Sequence, residues 1–429
     1  MYSGKNPFFS SSVVAHKNLC NLCNLWLTFF FRVFRGKRIM EEREFMEMFS
    51  KAHDYGNVTV ADGDMSPKER FERIMTFRKP DRIIDAEFGY WDSTLRRWHQ
   101  EGLPEYVTSN EKADIYFGFD VWSKTIPANT RLNPNFEQEI IADDGVHQIV
   151  YDENRIKCEI FSDGTDTIPH YLDFPVKDHE TYLPFKERLV GALDGRVPEN
   201  LAEIGRRTKD RNYVLVAPGG STAGYIRNLM GFEGICLGLY DQPDLIQDML
   251  DDVCTVSCTV ARAITEYIEV DLVSWWEDIA YRSGPIVTPK FFNRQCGRVY
   301  HDVMSIYQQH GTQYGYVDCD GDFRKLMPGW LNNGVNIMFP LEVNAGIHPA
   351  QLRRNHPGIR MMGGVDKVVL TRGKAAIKQE LQRLKPLVEE GGFIPHVDHR
   401  VQADVAFDDY LYYLEVKRDL FNIPNTIVT

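Results

Sequence analysis

The sequence predicts a (β/α)8 barrel, the TIM-barrel fold, with an antiparallel β insertion. Short apolar runs alternate with amphipathic helical stretches eight times over roughly 350 residues, a length typical of this fold. The apolar runs end in polar, mostly acidic residues, which is expected where the carboxyl ends of parallel strands meet at one mouth. An open, doubly wound sheet is the competing topology, but it would not bring all eight strand ends together.

The elements follow in order from local patterns. Ser66, a proline and Glu69 are typical of a helix start, so the folded sequence is expected to begin there. Residues 126–176 alternate in period two and predict the antiparallel insertion, which a helical stretch over 180–207 follows. The strands are predicted at 83–87, 116–120, 213–217, 271–276, 314–318, 335–340, 360–365 and 393–395, and the last helix at 407–421.

Residues 314–322 contain the strongest local signal for a functional site. A buried strand leads into Asp318, Asp320 and Asp322, so three carboxylates lie within five positions. Such carboxylates repel one another unless a cation, a proton or a metal is near. A solvated acidic turn that caps the next helix is the alternative interpretation.

The other predicted strand ends supply the remaining candidates. Polar side chains are expected at the mouth at Glu87, Asp120, Ser221, Glu277, Glu342, Asp366 and His399. Trp91 is predicted to form part of the pocket wall, and His396 is a candidate from its position alone. We therefore expect a substrate to be bound by Glu87, Trp91, Ser221, Glu277, Glu342 and His396.

Charge and cysteine usage restrict the function classes. The net charge is −12, and residues 1–40 carry six Lys/Arg and no Asp/Glu, which leaves −18 on the rest of the chain. This acidic body argues against a nucleic-acid partner. Eight scattered cysteines predict a reducing compartment, and we expect a cytoplasmic protein without a membrane partner.

The first 64 residues are predicted to be an N-terminal extension, disordered or non-native, and the barrel domain to span 65–429. The apolar run Leu25–Phe31 lies between basic residues and is too short to span a bilayer. Met40 and Met65 are candidate natural starts. The extension is expected to be dispensable.

Three ordered patterns over about residues 66–421 resemble the uroporphyrinogen decarboxylase superfamily. Phe119-Asp120-Val121 resembles a strand end whose Asp holds the pyrrole nitrogens of the substrate. Ala217-Pro218, followed by Ser221 and Tyr225, resembles the loop with the family's active-site Tyr. Asp398-His399-Arg400-Val401 resembles the segment that supplies its active-site His. The resemblance implies a TIM barrel with Asp120, Tyr225 and His399 as catalytic residues.

Two departures from the family pattern bear on the reaction. Residues 87–91 hold an acid and no arginine where true uroporphyrinogen decarboxylases have a segment with two arginines. Asp318-Cys319-Asp320-Gly321 stands where the methyltransferase branch has its zinc-binding His-x-Cys-Gly, and His399 stands where that branch has a later Cys. The resemblance thus implies a divalent metal, zinc or a harder ion, at Asp318, Asp320 and His399. On a strand, Cys319 would point away from that site.

Three functions remain open from the sequence. The first is cofactor-independent acid/base decarboxylation of a tetrapyrrole-like or other carboxylate substrate. The second is metal-dependent methyl transfer with a separate corrinoid protein as partner. The third is an inactive barrel that binds a tetrapyrrole. A homodimer is compatible with each.

Overall fold

A parallel sheet of seven strands forms the centre of the protein. The computed structural model describes residues 42–165 and 168–427, so the basic residues and the apolar run near the start of the chain lie outside the described part. Neighbouring strands follow the order β1, β6, β7, β10, β11, β12, β13. Their bounds are β1 (Ser123–Thr125), β6 (Val214–Gly220), β7 (Leu272–Trp276), β10 (Tyr314–Asp318), β11 (Ile337–Phe339), β12 (Arg360–Val365) and β13 (Phe393–Val397).

The extended segment 83–91 closes the sheet into a barrel. Tyr90 forms a parallel bridge with Val401, just after β13. On its other side, the Asp120 amide, ahead of β1, donates to the Asp85 carbonyl at 3.0 Å. The prediction of a (β/α)8 barrel is therefore confirmed, with an irregular extended segment in the first strand position.

Helices cover the outside of the barrel and connect its strands. In the described residues they are α1 (Glu42–His53), α2 (Pro67–Met75), α3 (Asp92–Glu101), α4 (Asn110–Phe117), α5 (His179–Leu189), α6 (Leu201–Thr208), α7 (Ala223–Asp241), α8 (Pro243–Thr265), α9 (Pro289–Phe291), α10 (Gly297–Gln309), α11 (Met327–Leu331), α12 (Pro349–Asn355), α13 (Lys374–Glu390) and α14 (Phe407–Phe421). A π-helical turn, Phe292–Cys296, joins α9 to α10, and 3₁₀ turns lie at Val343–Ala345 and Lys367–Thr371.

The antiparallel insertion is confirmed as a separate four-stranded sheet. Its strands are β2 (Glu139–Asp143), β3 (His147–Tyr151), β4 (Lys157–Phe161) and β5 (His170–Asp173), paired in that order. A further small hairpin, β8 (Ala280–Tyr281) and β9 (Gly284–Pro285), follows β7. The helical stretch predicted over 180–207 is divided into α5 and α6.

The second predicted strand, 116–120, is wrong. Residues 110–117 form α4, because the Ser109 side chain caps its first turn and Gly118 ends it in the left-handed conformation at φ 73°. The strand begins only at Ser123. Asp120 therefore precedes its strand instead of ending it, which places it at the amino end of the barrel.

Residues 42–64, part of the predicted extension, contact the barrel. Phe45 of α1 is fully buried and its ring lies 4.8 Å from that of Tyr106. The buried Lys124 of β1 donates through Nζ to the carbonyls of Asp54 at 2.5 Å and Gly56 at 2.9 Å. These contacts tie the segment before Met65 to the first strand of the sheet.

No helix within residues 42–165 and 168–427 combines the length and the apolar character needed to cross a bilayer.

Candidate functional site

The site is built on two neighbouring strands, β7 and β10, whose register aligns their inward-facing side chains. Ser274 pairs with Tyr316, and Trp276 pairs with Asp318. Side chains on one face of a strand recur every second residue, so the next inward positions are 278 and 320. The register thus delivers three carboxylates, from Asp278, Asp318 and Asp320, to the carboxyl end of the barrel.

The three carboxylates form a close cluster. One oxygen from each of Asp278, Asp318 and Asp320 lies within 4.8 Å of the other two. Asp278 has φ 48°, a left-handed conformation that aspartate tolerates better than most residues. This turn brings its Oδ1 to 3.0 Å from the Asp320 amide, which donates to it. The backbone after β7 is thus fixed to the loop after β10.

Burial and mutual repulsion set the electrostatics of the cluster. Burial raises the pKa of Asp278 to about 6, and the Asp320 carboxylate adds to the rise. Burial also raises the pKa of Asp318 well above its usual range, as do the charges of its two neighbours. Arg400 and Arg227 act in the opposite direction on Asp318 and Asp278, respectively. The cluster therefore favours the binding of a proton or a cation.

His399 adjoins the cluster from the last strand of the barrel. Its Nε2 lies 3.3 Å from Asp320 Oδ2. Trp91 lies against the imidazole with ring centroids 5.9 Å apart and an interplanar angle of 26°, and Phe88 meets its edge at 5.4 Å. The Arg400 guanidinium lies 5.1 Å from the Trp91 ring. An aromatic wall therefore holds the imidazole beside the carboxylates.

The donor set fits a divalent cation. Asp320 Oδ1 and His399 Nδ1 are buried atoms without a hydrogen-bond partner among the described residues, and such atoms are costly to leave unsatisfied. Three clustered carboxylates with a nearby imidazole are the hard, oxygen-rich ligand set that suits magnesium, manganese or a weaker zinc site. The metal ligands predicted from the sequence were Asp318, Asp320 and His399. In the structure Asp278 completes the close group, and His399 contacts only its edge.

Asp120 and His399 do not share a site. Asp120 binds the Arg82 guanidinium through two contacts of 2.6 and 2.7 Å and also accepts a hydrogen bond from the Asp85 amide at 2.8 Å. It precedes β1, whereas His399 follows β13, so the two residues lie at opposite ends of the barrel. The catalytic role expected for Asp120 is not supported, because its carboxylate ties together the barrel's amino end.

Tyr225 and Ser221 lie at the β6–α7 connection, on the carboxyl side of the barrel as expected. Tyr225 is 4% exposed and Ser221 is 6% exposed. The hydroxyl oxygens of both lack a hydrogen-bond partner in the protein. Burial raises the pKa of Tyr225, while the charges of Arg131 and Arg196 lower it.

Glu277 and Glu87 were expected to bind substrate, but their carboxylates are buried in structural roles. Glu277 accepts hydrogen bonds from the amides of Thr222 and Gly224 at 2.6 and 2.7 Å, and from the Tyr300 hydroxyl. It thereby satisfies the amino end of α7. Glu87 accepts from the Val397 amide at 2.9 Å, and its side chain is fully buried.

The two other acidic or histidine candidates lie in different places: His396 is buried inside the barrel, and Glu342 lies at its mouth. His396 is 1% exposed inside the barrel, where Nδ1 lies 2.8 Å from the Val397 carbonyl and donates to it. Burial lowers its pKa to about 3, so the imidazole is neutral. Glu342 is half-buried at the mouth and binds the Gly321 amide at 3.1 Å and Lys367 Nζ at 3.3 Å. Asp366 caps the 3₁₀ turn that follows it through the Val368 amide.

Asp278 is the member of the carboxylate cluster that the sequence analysis did not predict. Glu277 directly follows the predicted strand and was a candidate from its position alone. Counting by two from Ser274 and Trp276 would have selected Asp278 instead. The same alternation was applied correctly to Cys319, which is fully buried and is not part of the carboxylate group.

Comparison with known proteins identifies the fold and no family. No family profile matches the chain, and no curated protein matches it. Among solved structures, the chain is similar to a methyltransferase from Methanosarcina mazei, with 14% identity, a TM-score of 0.53, and coverage of 84% of this chain and 100% of that one. This likeness supports the barrel fold.

Two further solved structures match more weakly and carry no argument. One is D-psicose 3-epimerase in the presence of D-fructose, with 11% identity, a TM-score of 0.28, and coverage of 53% of this chain and 83% of that one. The other is described as a vitamin-B12-independent methionine synthase from Listeria monocytogenes, with 9% identity, a TM-score of 0.30, and coverage of 79% and 97%.

Proposed function

We propose that this protein is a metal-dependent methyltransferase that removes a methyl group from an oxygen atom of a small substrate and passes it to a separate corrinoid protein. The observation that carries this proposal is the group of three carboxylates, Asp278, Asp318 and Asp320, at the barrel mouth. The overall similarity to a methyltransferase from Methanosarcina mazei gives it independent support.

The chemistry of the ligands favours an oxygen substrate. Asp278, Asp318 and Asp320 would hold the metal, and their hard oxygen donors select cations that prefer oxygen over sulfur. When bound, such a cation supplies Lewis-acid polarisation of a substrate oxygen. It would also relieve the repulsion among the three carboxylates, which burial otherwise makes expensive.

His399 is suited to supply the proton that the reaction requires. When a methyl group leaves as a cation equivalent, its bond electrons stay on the substrate oxygen, which must then be protonated. His399 Nε2 faces Asp320 at 3.3 Å, while Nδ1 is buried and unpaired. The Asp320 carboxylate lies against Nε2 and orients the ring, so that a proton carried on Nδ1 can be donated to that oxygen. Trp91 and Phe88 hold the imidazole in place and limit the access of water.

We do not propose acid/base decarboxylation by Asp120, Tyr225 and His399. Asp120 lies at the other end of the barrel in a bidentate ion pair with Arg82. Tyr225 is buried in the first turn of α7. A substrate at His399 would thus lack the partner that was expected to hold its ring.

The proposal is tested by following methyl transfer to reduced cobalamin, which stands in for the corrinoid protein. Protein loaded with manganese or zinc is mixed with cob(I)alamin and a set of small methyl ethers, and formation of methylcobalamin is followed by its absorbance. We expect turnover with at least one methyl ether. Asp320→Asn should lower the rate at least about a hundredfold, the usual scale for losing a preorganised electrostatic group.

Asp322→Asn is the matched control, because Asp322 lies in the same loop but pairs with Arg324 at 2.7 Å. It should keep the wild-type rate. Equal loss of activity in both variants, or no methylcobalamin with any ether, would contradict the proposal.

A further inference from the structure

A second group of polar side chains lies beside the carboxylate cluster, on the β6 side of the mouth. The Arg131 guanidinium lies 5.2 Å, and the Arg227 guanidinium 5.5 Å, from the ring of Trp276, the residue paired with Asp318. In the described part of the chain, neither arginine forms an ion pair with a carboxylate within 4.0 Å. Two guanidiniums therefore flank one indole next to the proposed reaction centre.

Arg131 is held in this position by the buried Arg196. Arg196 is 3% exposed and donates to the carbonyls of Asn129, Arg131 and Leu189. Within the described residues its side-chain hydrogen bonds go to carbonyl oxygens, so its charge is not cancelled by a carboxylate there. Thr130 lies next to the end of β6, since a Cβ built on Gly220 would be 3.8 Å from its Oγ1. The loop that carries Arg131 thus packs against the β6–α7 connection.

The same place contains buried donors without partners. The hydroxyls of Ser221 and Tyr225 and the Nε of Arg227 are buried atoms without a hydrogen-bond partner within residues 42–165 and 168–427. Ser221 directly follows β6, and Tyr225 and Arg227 belong to the first two turns of α7. The Arg227 guanidinium does donate through Nη2 to Asn228 Oδ1 at 3.0 Å, which leaves its Nε without a partner. Because buried polar groups are normally satisfied, the two hydroxyls and this Nε point to a bound acceptor.

We propose that Arg131, Arg227, Ser221 and Tyr225 bind an oxyanionic group of the substrate, a carboxylate or a phosphate. Guanidinium groups provide fixed, forked donors that match such oxyanions. That the substrate carries a methyl group rests on the proposed function; that it carries an oxyanion does not. Together they restrict the substrate to small methyl ethers or methyl esters with a negative charge.

Direct binding tests this site without any methyl transfer. Methoxyacetate, methyl phosphate and the neutral methoxyacetamide are titrated into metal-loaded protein in a calorimeter at fixed ionic strength. We expect at least one of the two anions to bind and the amide not to bind measurably. Arg131→Gln and Arg227→Gln should each weaken anion binding at least about tenfold, the scale of one hydrogen bond to a charged group.

Arg294→Gln provides a control, because Arg294 is an exposed arginine in the π-helical turn and is not one of the residues proposed to bind the anion. It should leave binding unchanged. Binding of the amide as tight as that of the anions, no binding of either anion, or unchanged anion binding in both arginine variants would overturn the inference. Anion binding that survives in a protein with no metal or methyl-transfer activity would instead reject the proposed function alone.

Discussion

Asp278, Asp318 and Asp320 occupy an arrangement that is costly unless it binds something. Their carboxylate oxygens converge within 4.8 Å, and burial raises the pKa values of Asp278 and Asp318. A protein that needed only stability would gain by replacing one of them with a neutral side chain, because like charges in a partly buried site repel. The cluster therefore has the character of a functional site that is maintained at a cost in stability.

We predict that Asp278→Asn stabilises the protein when metals are removed. Asparagine tolerates the left-handed φ of 48° at this position and carries no charge. In chelator-treated protein at pH 7, the free energy of unfolding from urea titration should rise by roughly 1 kcal/mol, about the energy of one pKa unit of repulsion. Asp322→Asn should give no gain, because it loses its partner Arg324. A less stable Asp278→Asn protein would show that the cluster does not store repulsion.

His396 should make the protein sensitive to acid. Its pKa is about 3 in the folded barrel because burial penalises the charged imidazole, whereas an unfolded histidine has a pKa near 6.5. Between these two pKa values, the unfolded state therefore binds a proton that the folded state does not bind. From this residue, stability should be complete above pH 6.5 and should fall as the pH drops from about 6.5 towards 3, by roughly 1.4 kcal/mol per unit.

The measurement compares urea unfolding at pH 7 and pH 5 in wild type and His396→Asn. Asparagine keeps a donor for the Val397 carbonyl and cannot be protonated, so the variant should lose less stability between the two pH values. The exposed His310→Asn should behave like wild type. Identical losses in wild type and His396→Asn would contradict the assigned role. Buried carboxyls with raised pKa values act in the opposite sense, so only the difference between the proteins is informative.

At the scale of elements, the segment before the barrel completes its first strand. Lys124 of β1 is buried, and its ammonium is satisfied by the carbonyls of Asp54 and Gly56. Tyr213, next to β6, donates through its hydroxyl to the Tyr55 carbonyl at 2.9 Å. Removal of these acceptors would leave a buried charge without a partner, which costs several kcal/mol.

We therefore predict that a chain starting at Met65 is less stable than one starting at Glu42, contrary to the expectation that all residues before 65 are dispensable. The two proteins should differ in the urea midpoint of unfolding, with the shorter one lower. Lys124→Met in the shorter chain should recover part of the loss, because an uncharged side chain needs no acceptor there. Equal midpoints for the two chains would restore the original expectation.

For the whole molecule, the sequence was most informative where strand and site coincide. The runs at 271–276, 314–318 and 360–365 are strands, and the acids after β10 do reach the mouth. The strand predicted at 116–120 is wrong because Ser109 and Gly118 cap a helix over residues 110–117. Asp120 and Arg82 are 38 positions apart, and a local sequence pattern cannot predict an ion pair at that separation.

The choice between Glu277 and Asp278 shows a different limit. Both are acids after one strand, and their roles depend on which side of the strand each side chain lies. Glu277 points to the amino end of α7 and Asp278 to the mouth. The register between β7 and β10 settles this, and register is a property of two strands that neither one reveals alone.

The central claim is that the carboxylate group binds a divalent cation, and metal content measures this most directly. Protein purified without a histidine tag is dialysed against manganese or zinc, freed of excess ion, and analysed for metal per chain. The account predicts about one equivalent in wild type and in Asp322→Asn, and a loss of most of it in Asp278→Asn and Asp320→Asn, since each removes a charged ligand. His399→Gln should retain the ion, because His399 lies at the edge of the group. Metal-free wild type after dialysis, or equal metal in all variants, would contradict the account.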